Sequence, residues 1–294
     1  MEIRQLEYFA AVARHRNFGR AAEELYVTQS ALSQQVRRLE DELGLQLLRR
    51  TRTGADLTPA GADLLEHAQV VLAELGRARA RMDDHAGLRR GAVRLATTPA
   101  DALRLPEALA AFHRAHPGIQ IALRQGPQAE VVDLVRRGVV DLAVVSLSAG
   151  DLDALAGAVE ATPLAADPLR VILPPGDALA RDGVSLWALR ARAFVLPERG
   201  SALRETVMAA CAAAGFSPVP RFEVADPATV RFLVHSGLGV GVVPASWLTL
   251  PGPEVAAHRP ADDVDPPRPA LLRPTAEGTP AARLAHAHLA GNDV

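Results

Sequence analysis

Apolar positions recur at helical spacing through the first 58 residues and at strand spacing, interrupted by helices, from residue 91 onward. Leu6, Phe9, Ala10 and Ala13 follow i, i+3, i+4, i+7 and predict an amphipathic first helix. Asn17 is placed to cap a very short second helix, FGRAAEEL, that buries Ala21, Ala22 and Leu25. After the connection Tyr26, Val27, a third helix starts at the cap Thr28, carries Leu32, Val36, Leu39 and Leu43 as its apolar stripe, and stops at Gly44. Thr58 followed by Pro59 opens a long fourth helix. Its positions Leu64, Ala68, Val71, Leu75, Ala78 and Met82 alternate spacings of four and three, a seam suited to a helix of a second chain or to its own domain.

Beyond residue 91 the segments GAVRLATTP, IQIALRQ, DLAVVSLS, PLRVILP, AFVLPE, RFEVA, VGVVP and PALLRPT read as strands. Helices PEALAAFHRAHP, EVVDLVRRG, SALRETVMAACAAAG and TVRFLVHSG lie between them, and a last helix follows, so parallel sheets with crossover helices are expected. The Pro-rich stretch 261–269 reads as a connection or crossover.

Composition bounds the chemistry. The chain has 294 residues, enough for two domains, and 49% hydrophobic content, enough for a real core. Its 32 basic residues are all arginine and its net charge is −2, so any nucleic-acid binding must come from a local basic patch. Cys211, the one cysteine, lies in an apolar run and rules out an internal disulfide. The N-terminus lacks the pattern of a secretory signal, which places the protein in the cytoplasm as an expectation. The uncharged window 232–253 is broken by glycines and prolines and reads as helix end, turn and strand rather than a membrane span.

The third helix has an unusual outer face. With Leu32, Val36 and Leu39 inward, the helical period puts Gln29, Ser30, Ser33, Gln34 and Arg37 together on another side. Solvated helices favour Glu, Lys and Arg, whereas short Gln and Ser side chains suit hydrogen bonding to base edges. The acidic Glu40, Asp41 and Glu42 would repel phosphates, so the N-terminal part is the expected reader. Downstream, Arg49, Arg50 and Arg52 precede a turn at Gly54, which suggests a wing whose arginines bind phosphate or groove edge. A small helical bundle with a basic loop fits the same spacing.

The segment FGRAAEELYVTQSALSQQVRRLEDELGLQLLRRTRTGADLTPAG resembles the winged helix-turn-helix of the LysR-type transcriptional regulators. The likeness rests on Ala21 and Ala22, Gln29, Ser33, Arg38 to Glu40, Leu43 with Gly44, Arg50, and Leu57 to Gly61; Leu48 stands where the family usually carries Phe. The resemblance implies a multi-domain chain. A mostly α winged helix-turn-helix would occupy 1–58, a linker dimerisation helix 59–88, and an α/β periplasmic-binding-protein-like effector domain 91–294. That domain would divide into subdomain I (91–162 plus 266–294) and subdomain II (163–265). It further implies a homodimer or homotetramer on an interrupted dyad operator in double-stranded DNA, RNA polymerase as a partner, and a small-molecule effector between the subdomains. No cofactor, metal, membrane or enzymatic activity is implied. The rival reading is a solute-binding or enzymatic α/β protein whose N-terminal helices only mediate oligomerisation.

Candidate effector contacts come from strand-to-helix junctions. Thr97 and Thr98 end a strand, and Thr98 to Asp101 has the spacing of a capping box. Hydroxyls and free N–H groups at a strand's carboxyl end suit an anion such as a carboxylate. Ser146, Ser201, Gln128 and Asp226 sit at similar junctions, each of them equally explained by plain capping. The family resemblance strengthens Thr97, Thr98 and Ser201. Other patterns carry no chemistry: Gly237, Gly239 and Gly241 follow a helix and precede a strand, the reverse of a dinucleotide fingerprint, and His113 with His116, like His286 with His288, lacks further metal ligands.

Overall fold

The computed structural model describes residues 1–294 apart from 52, 53, 86–90, 181, 182 and 292–294, and leaves the side chains of 50, 80, 83–85 and 149 undescribed. The chain divides into two units, Met1–Met82 and Asp83–Val294.

In the first unit, α1 (Ile3–His15), α2 (Phe18–Glu24) and α3 (Gln29–Leu43) enclose Phe9, Leu32, Leu39 and Leu47, all fully buried. Asn17 caps α2 by accepting the N–H groups of Gly19 at 2.8 Å and Arg20 at 3.1 Å, and Thr28 Oγ1 caps α3 at Ala31 N. The buried face of α1 is wider than its stripe. Tyr8, Ala11 and Val12 join Leu6 and Phe9 in the core while Ala10 and Ala13 are half-buried, because α2 and α3 both pack on the helix. Leu25 is likewise only partly buried. Leu43 departs from expectation at 38% exposed: α3 ends at Gly44 in the left-handed conformation (φ 66°), and Leu47 takes the core position instead.

An antiparallel hairpin follows, β1 (Leu48–Thr51) and β2 (Gly54–Leu57), with Arg49 opposite Asp56 and Arg50 opposite Ala55. Gly54 has φ 154°, and a Cβ there would lie 2.0 Å from the Arg16 carbonyl oxygen, so only glycine fits. That carbonyl accepts the next N–H, of Ala55, at 2.8 Å and fastens the hairpin to the end of α1. Helix α4 (Pro59–His85) starts where Thr58 Oγ1 accepts Gly61 N–H at 3.0 Å. Of its seam, Leu64 and Ala68 pack into this unit's own core, whereas Val71, Ala78 and Met82 are exposed.

The second unit is two α/β lobes. Lobe I contains β3 (Gly91–Thr97), α5 (Leu105–Ala115), β4 (Ile119–Gln125), α6 (Gln128–Arg136), β5 (Leu142–Leu147), α7 (Ala149–Leu155) and β6 (Val159–Pro163). The chain then builds lobe II from β7 (Leu169–Leu173), β8 (Ala193–Pro197), α8 (Ala202–Ala213), β9 (Val219–Val224), α9 (Pro227–His235), β10 (Gly241–Pro244) and β11 (Ala256–His258). It returns to lobe I as β12 (Arg268–Pro274) and α10 (Pro280–Gly291). The lobe I sheet runs β4-β3-β5-β12-β6. Along β5, Leu142 and Val144 enter one core and Ala143, Val145 and Leu147 the other, so a strand covered on both faces reads as an apolar run broken only at Ser146.

The sheets are mixed, which corrects the parallel expectation. Strand β3 is parallel to β4 and β5, but β12 runs antiparallel to β5 and β6 because it brings the chain back from lobe II. In lobe II, β10 and β11 flank β7 antiparallel, β8 pairs parallel with β9, and a Phe194–Val240 bridge joins the two sets. Three short elements, α7, β6 and β11, had no sequence pattern strong enough to mark them. The Pro-rich stretch is indeed the return crossing; in it Asp262 accepts Leu186 N–H at 2.6 Å. Among the described residues no helix is long and apolar enough to cross a membrane.

Candidate nucleic-acid interface and ligand cleft

Helices α2 and α3 meet through a tight turn in which Tyr26 takes φ 52° and Val27 N–H donates to Ala22 O at 3.0 Å. With Leu32, Val36 and Leu39 buried, Gln29, Ser30, Gln34 and Arg37 are exposed beside a half-buried Ser33. The short polar face therefore points outward from a helix locked by its own core. Tyr26, 96% exposed at the turn, borders that face and was not anticipated; a tyrosine in a linker has no periodicity to mark it. Glu24 braces the motif by pairing with His15 and Arg14 of α1. The His15 hydrogen bond foremost, with Arg14 beside it, holds its carboxyl below the usual range.

The acidic end of α3 differs from its reading in sequence. Glu40 turns toward the hairpin and accepts the N–H groups of Leu47 and Leu48, so it is a clamp rather than a phosphate-repelling surface group. Asp41 and Glu42 remain exposed, and Glu42 pairs with the N-terminal ammonium. In the hairpin Arg49 is exposed. Arg50 lies on β1 with its side chain outside the described set, and Arg52 lies outside the described residues.

In the second unit a cavity of about 130 Å³ lies between the lobes. Thr98, Gln128, Ser146 and Ser201 line it; Thr97 and Asp226 do not. Thr97 is fully buried at the end of β3. Asp226 caps α9, accepting Thr229 Oγ1 at 2.7 Å and Thr229 N–H at 2.8 Å, and those bonds hold its carboxyl below the ordinary range. For both residues the capping or packing role is what the geometry shows.

At the lobe I end of the cavity sits a carboxylate whose local sequence pattern marks it only as a capping partner. Asp101, 5% exposed, accepts the Thr98 hydroxyl at 2.7 Å, the Ser146 hydroxyl at 2.5 Å and the Ser146 N–H at 2.9 Å. The two hydroxyls expected to receive an anion thus already donate to one. At the lobe II end Ser201 Oγ caps α8 through Arg204 N–H, while Gln128 Oε1 crosses from lobe I to accept Ala202 N–H at 2.9 Å. Gln128 Nε2 donates in turn to Asp151 at 3.1 Å. Arg104, Asp167, Ser246 and Trp247 also line the cavity, with Arg104 3.7 Å from Asp167 and Ser246 N–H donating to Asp167 at 3.2 Å. No local pattern marks these four, because their neighbourhood is made by the lobes.

The remaining singled-out residues have structural places. Burial pushes the Cys211 thiol up to about 11 in the lobe II core. His116 and His288 flank Phe112 at ring distances of 4.9 and 5.5 Å. Among the described residues no three His, Cys, Asp or Glu side chains cluster to hold a metal.

Both units match known proteins. Residues 3–62 match the family described as bacterial regulatory helix-turn-helix protein, lysR family, and residues 86–292 match the LysR substrate binding domain. The chain is 32% identical over 244 residues to the RuBisCO operon transcriptional regulator of Allochromatium vinosum, covering 83% of this chain and 79% of that protein. It is 35% identical over 247 residues to the transcriptional regulator ShiR of Corynebacterium glutamicum, covering 82% of each. Among solved structures, full-length CbnR complexed with its target DNA is similar with a TM-score of 0.71 and 26% identity, over 98% of this chain and 99% of that one.

Proposed function

The chain belongs to the LysR family of bacterial regulators, and from that premise we propose which of its residues read DNA and which receive the signal. It is a DNA-binding transcriptional regulator with an effector-binding domain, not an enzyme, and the match over residues 3–62 removes the alternative in which the N-terminal helices serve oligomerisation alone. The outward polar face of α3 carries the proposal: Gln29, Ser30, Ser33 and Gln34 contact base edges in the major groove, and Arg37, Arg50 and Arg52 contact phosphate or the groove edge. Their short side chains let the helix backbone approach the bases, and the tight turn after α2 sets the angle of entry.

The exposed Val71, Ala78 and Met82 continue the seam of α4 beyond its own core, and pairing that seam with a second copy would bury it. A dimer so formed presents two reading helices to an interrupted dyad operator, and two dimers on one site make a tetramer. Reading the chromosome places the protein in the bacterial cytoplasm. A small effector between the lobes shifts the assembly by binding one lobe arrangement more tightly than another.

A gel shift with the DNA upstream of the protein's own gene, titrated with salt, tests the reading. Specific retention at low salt, weakened by Arg50→Ala and lost on scrambling the operator, is expected. Retention of operator and scrambled DNA with equal affinity would remove it.

A further inference from the structure

We propose that the cavity between the lobes receives a small zwitterionic amine of α-amino-acid size, its ammonium against Asp101 and its carboxylate at the N-terminus of α8. The proposal rests on the reading of that cavity as the effector site and names the chemistry of its ligand.

Hydrogen-bond polarity fixes the lobe I end. A hydroxyl has one hydrogen to donate, and both Thr98 and Ser146 direct theirs at the Asp101 carboxylate, at 2.7 and 2.5 Å. Thr98 Oγ1 also accepts the Asp101 N–H at 3.1 Å, so what these groups offer toward the cavity is their remaining lone pairs and a negative charge. A ligand carboxylate placed there would face a like charge that is 5% exposed, and the repulsion disfavours it. An ammonium has three donors and no acceptor, which matches the carboxylate and the two hydroxyl oxygens, and its bonds to them are charge-assisted.

The balance of charge agrees. Asp101, Asp167 and Glu198 line the cavity against Arg104 and Arg199. Arg104 is 3.7 Å from Asp167 and donates to Ala165 O at 3.1 Å, while Arg199, its side chain 81% exposed, lies out in solvent 3.6 Å from Glu223. The lining thus holds one more acid than it has bases, and Arg104, the less exposed of its two guanidinium groups, stands beside a protein carboxylate.

The lobe II end has the opposite character. The first N–H groups of a helix have no intrahelical acceptor, and α8 is a 12-residue helix whose first turn faces the cavity through Ser201, Ala202 and Leu203. The neutral amide oxygen of Gln128 now accepts the Ala202 N–H, a place where a charged carboxylate binds more strongly. A ligand carboxylate arriving there displaces Gln128 from α8, and so exchanges a direct bond between the lobes for one that runs through the ligand. Volume is compatible: about 130 Å³ is close to the roughly 150 Å³ that holds one benzene, room enough for a ligand of amino-acid size.

The test uses the full chain in calorimetric titrations with the standard α-amino acids, each compared with its des-amino carboxylic acid and its decarboxylated amine. At least one amino acid should bind, and its des-amino acid should bind roughly tenfold or more weakly, as expected when one charge-assisted hydrogen bond is removed. In Asp101→Asn the affinity ratio between the two should collapse, which a merely structural role for Asp101 would not cause. If that variant does not fold, the ratio measured on the unaltered chain decides alone. Equal or tighter binding of the des-amino acids, or no binding of any amino acid, overturns the proposal. A parallel gel shift separates the two levels: retention of operator DNA together with carboxylate-only binding removes the ammonium and leaves the regulator, whereas loss of specific retention removes the regulator reading itself.

Discussion

The Glu40 carboxylate accepts the backbone N–H of Leu47 at 2.8 Å, and the same oxygen accepts Leu48 N–H at 3.1 Å, so the last turn of the reading helix holds the first residues of the wing. Leu47 and Leu48 are both buried, so without Glu40 their N–H groups have no ready route to water. Replacing Glu40 with Ala leaves two donors unsatisfied and should cost about 2 kcal/mol of stability in the first unit. Glu40→Gln, which still presents an acceptor oxygen, should lose less. Hydrogen exchange at Leu47 and Leu48 measures it: exchange in Glu40→Ala as slow as in the unaltered chain would refute the clamp.

Base reading and phosphate binding should separate in their response to salt. Gln34→Ala removes a side chain proposed to face a base edge and should cost about 1–3 kcal/mol at one operator position, leaving the salt slope intact. Arg37→Ala should weaken binding to all sequences alike and lower the slope of log K against log salt by about 0.9 for each phosphate that is no longer neutralised. Gel shifts at several salt concentrations on operator and point-mutant operators distinguish the two. Equal changes of slope in both variants would show that α3 does not lie in the groove as proposed.

Local spacing made the first unit legible. Asn17, Thr28, Gly44 and Thr58 act as caps or stops where the pattern put them, because capping depends on neighbours within four residues. Where contacts are long-range the pattern misled. Leu43 fits the stripe of α3 but lies beyond the core, and Glu40 has the composition of a surface acid but an inward partner seven residues away. In the second unit, each strand-to-helix junction looks the same in sequence. Only the fold distinguishes Ser201, which lines the cavity, from Asp226, which caps α9 just beyond the lining residues Val224 and Ala225. Asp101 was visible as the fourth position of a capping box, but its partner Ser146 is 45 residues further along, and that bond decides the polarity of the site.

Arg231 supports the wall of the cavity from behind. It is 7% exposed on α9, and its guanidinium donates to the carbonyls of Leu248, Leu250, Gly252 and Pro253 with no carboxylate among these partners. Those carbonyls belong to the segment just after Ser246 and Trp247, which line the cavity. Arg231→Met keeps much of the volume but frees four acceptors and should destabilise the chain by about 3 kcal/mol. Arg231→Lys should recover little, since a single ammonium cannot reach what the planar fork spans. Urea denaturation of the three chains measures this. Equal midpoints for Lys and Arg would show that charge alone, not the fork, holds the segment.

His286 on α10 gives the second unit a pH dependence whose sign follows from its surroundings. Burial foremost, and then the nearby Arg273 charge, lower its pKa, while Glu160 opposes them; Thr162 Oγ1 lies 3.2 Å from Nε2. The folded chain therefore binds the proton less readily than the unfolded chain, where the group titrates near its ordinary value of about 6.5. Below that value the unfolded state takes up protons first. The contribution of a neutral His286 is complete above about pH 6.5 and is lost as pH falls toward the folded pKa. Substituting His286→Gln removes the titration while leaving a polar group within reach of Thr162. The difference in urea midpoint between the unaltered chain and the variant, followed from pH 8 to pH 5, should be constant at the alkaline end and turn against the unaltered chain on the acid side. A difference that moves in favour of histidine as pH falls would mean that the imidazolium is stabilised in the fold, by Glu160 outweighing both burial and Arg273.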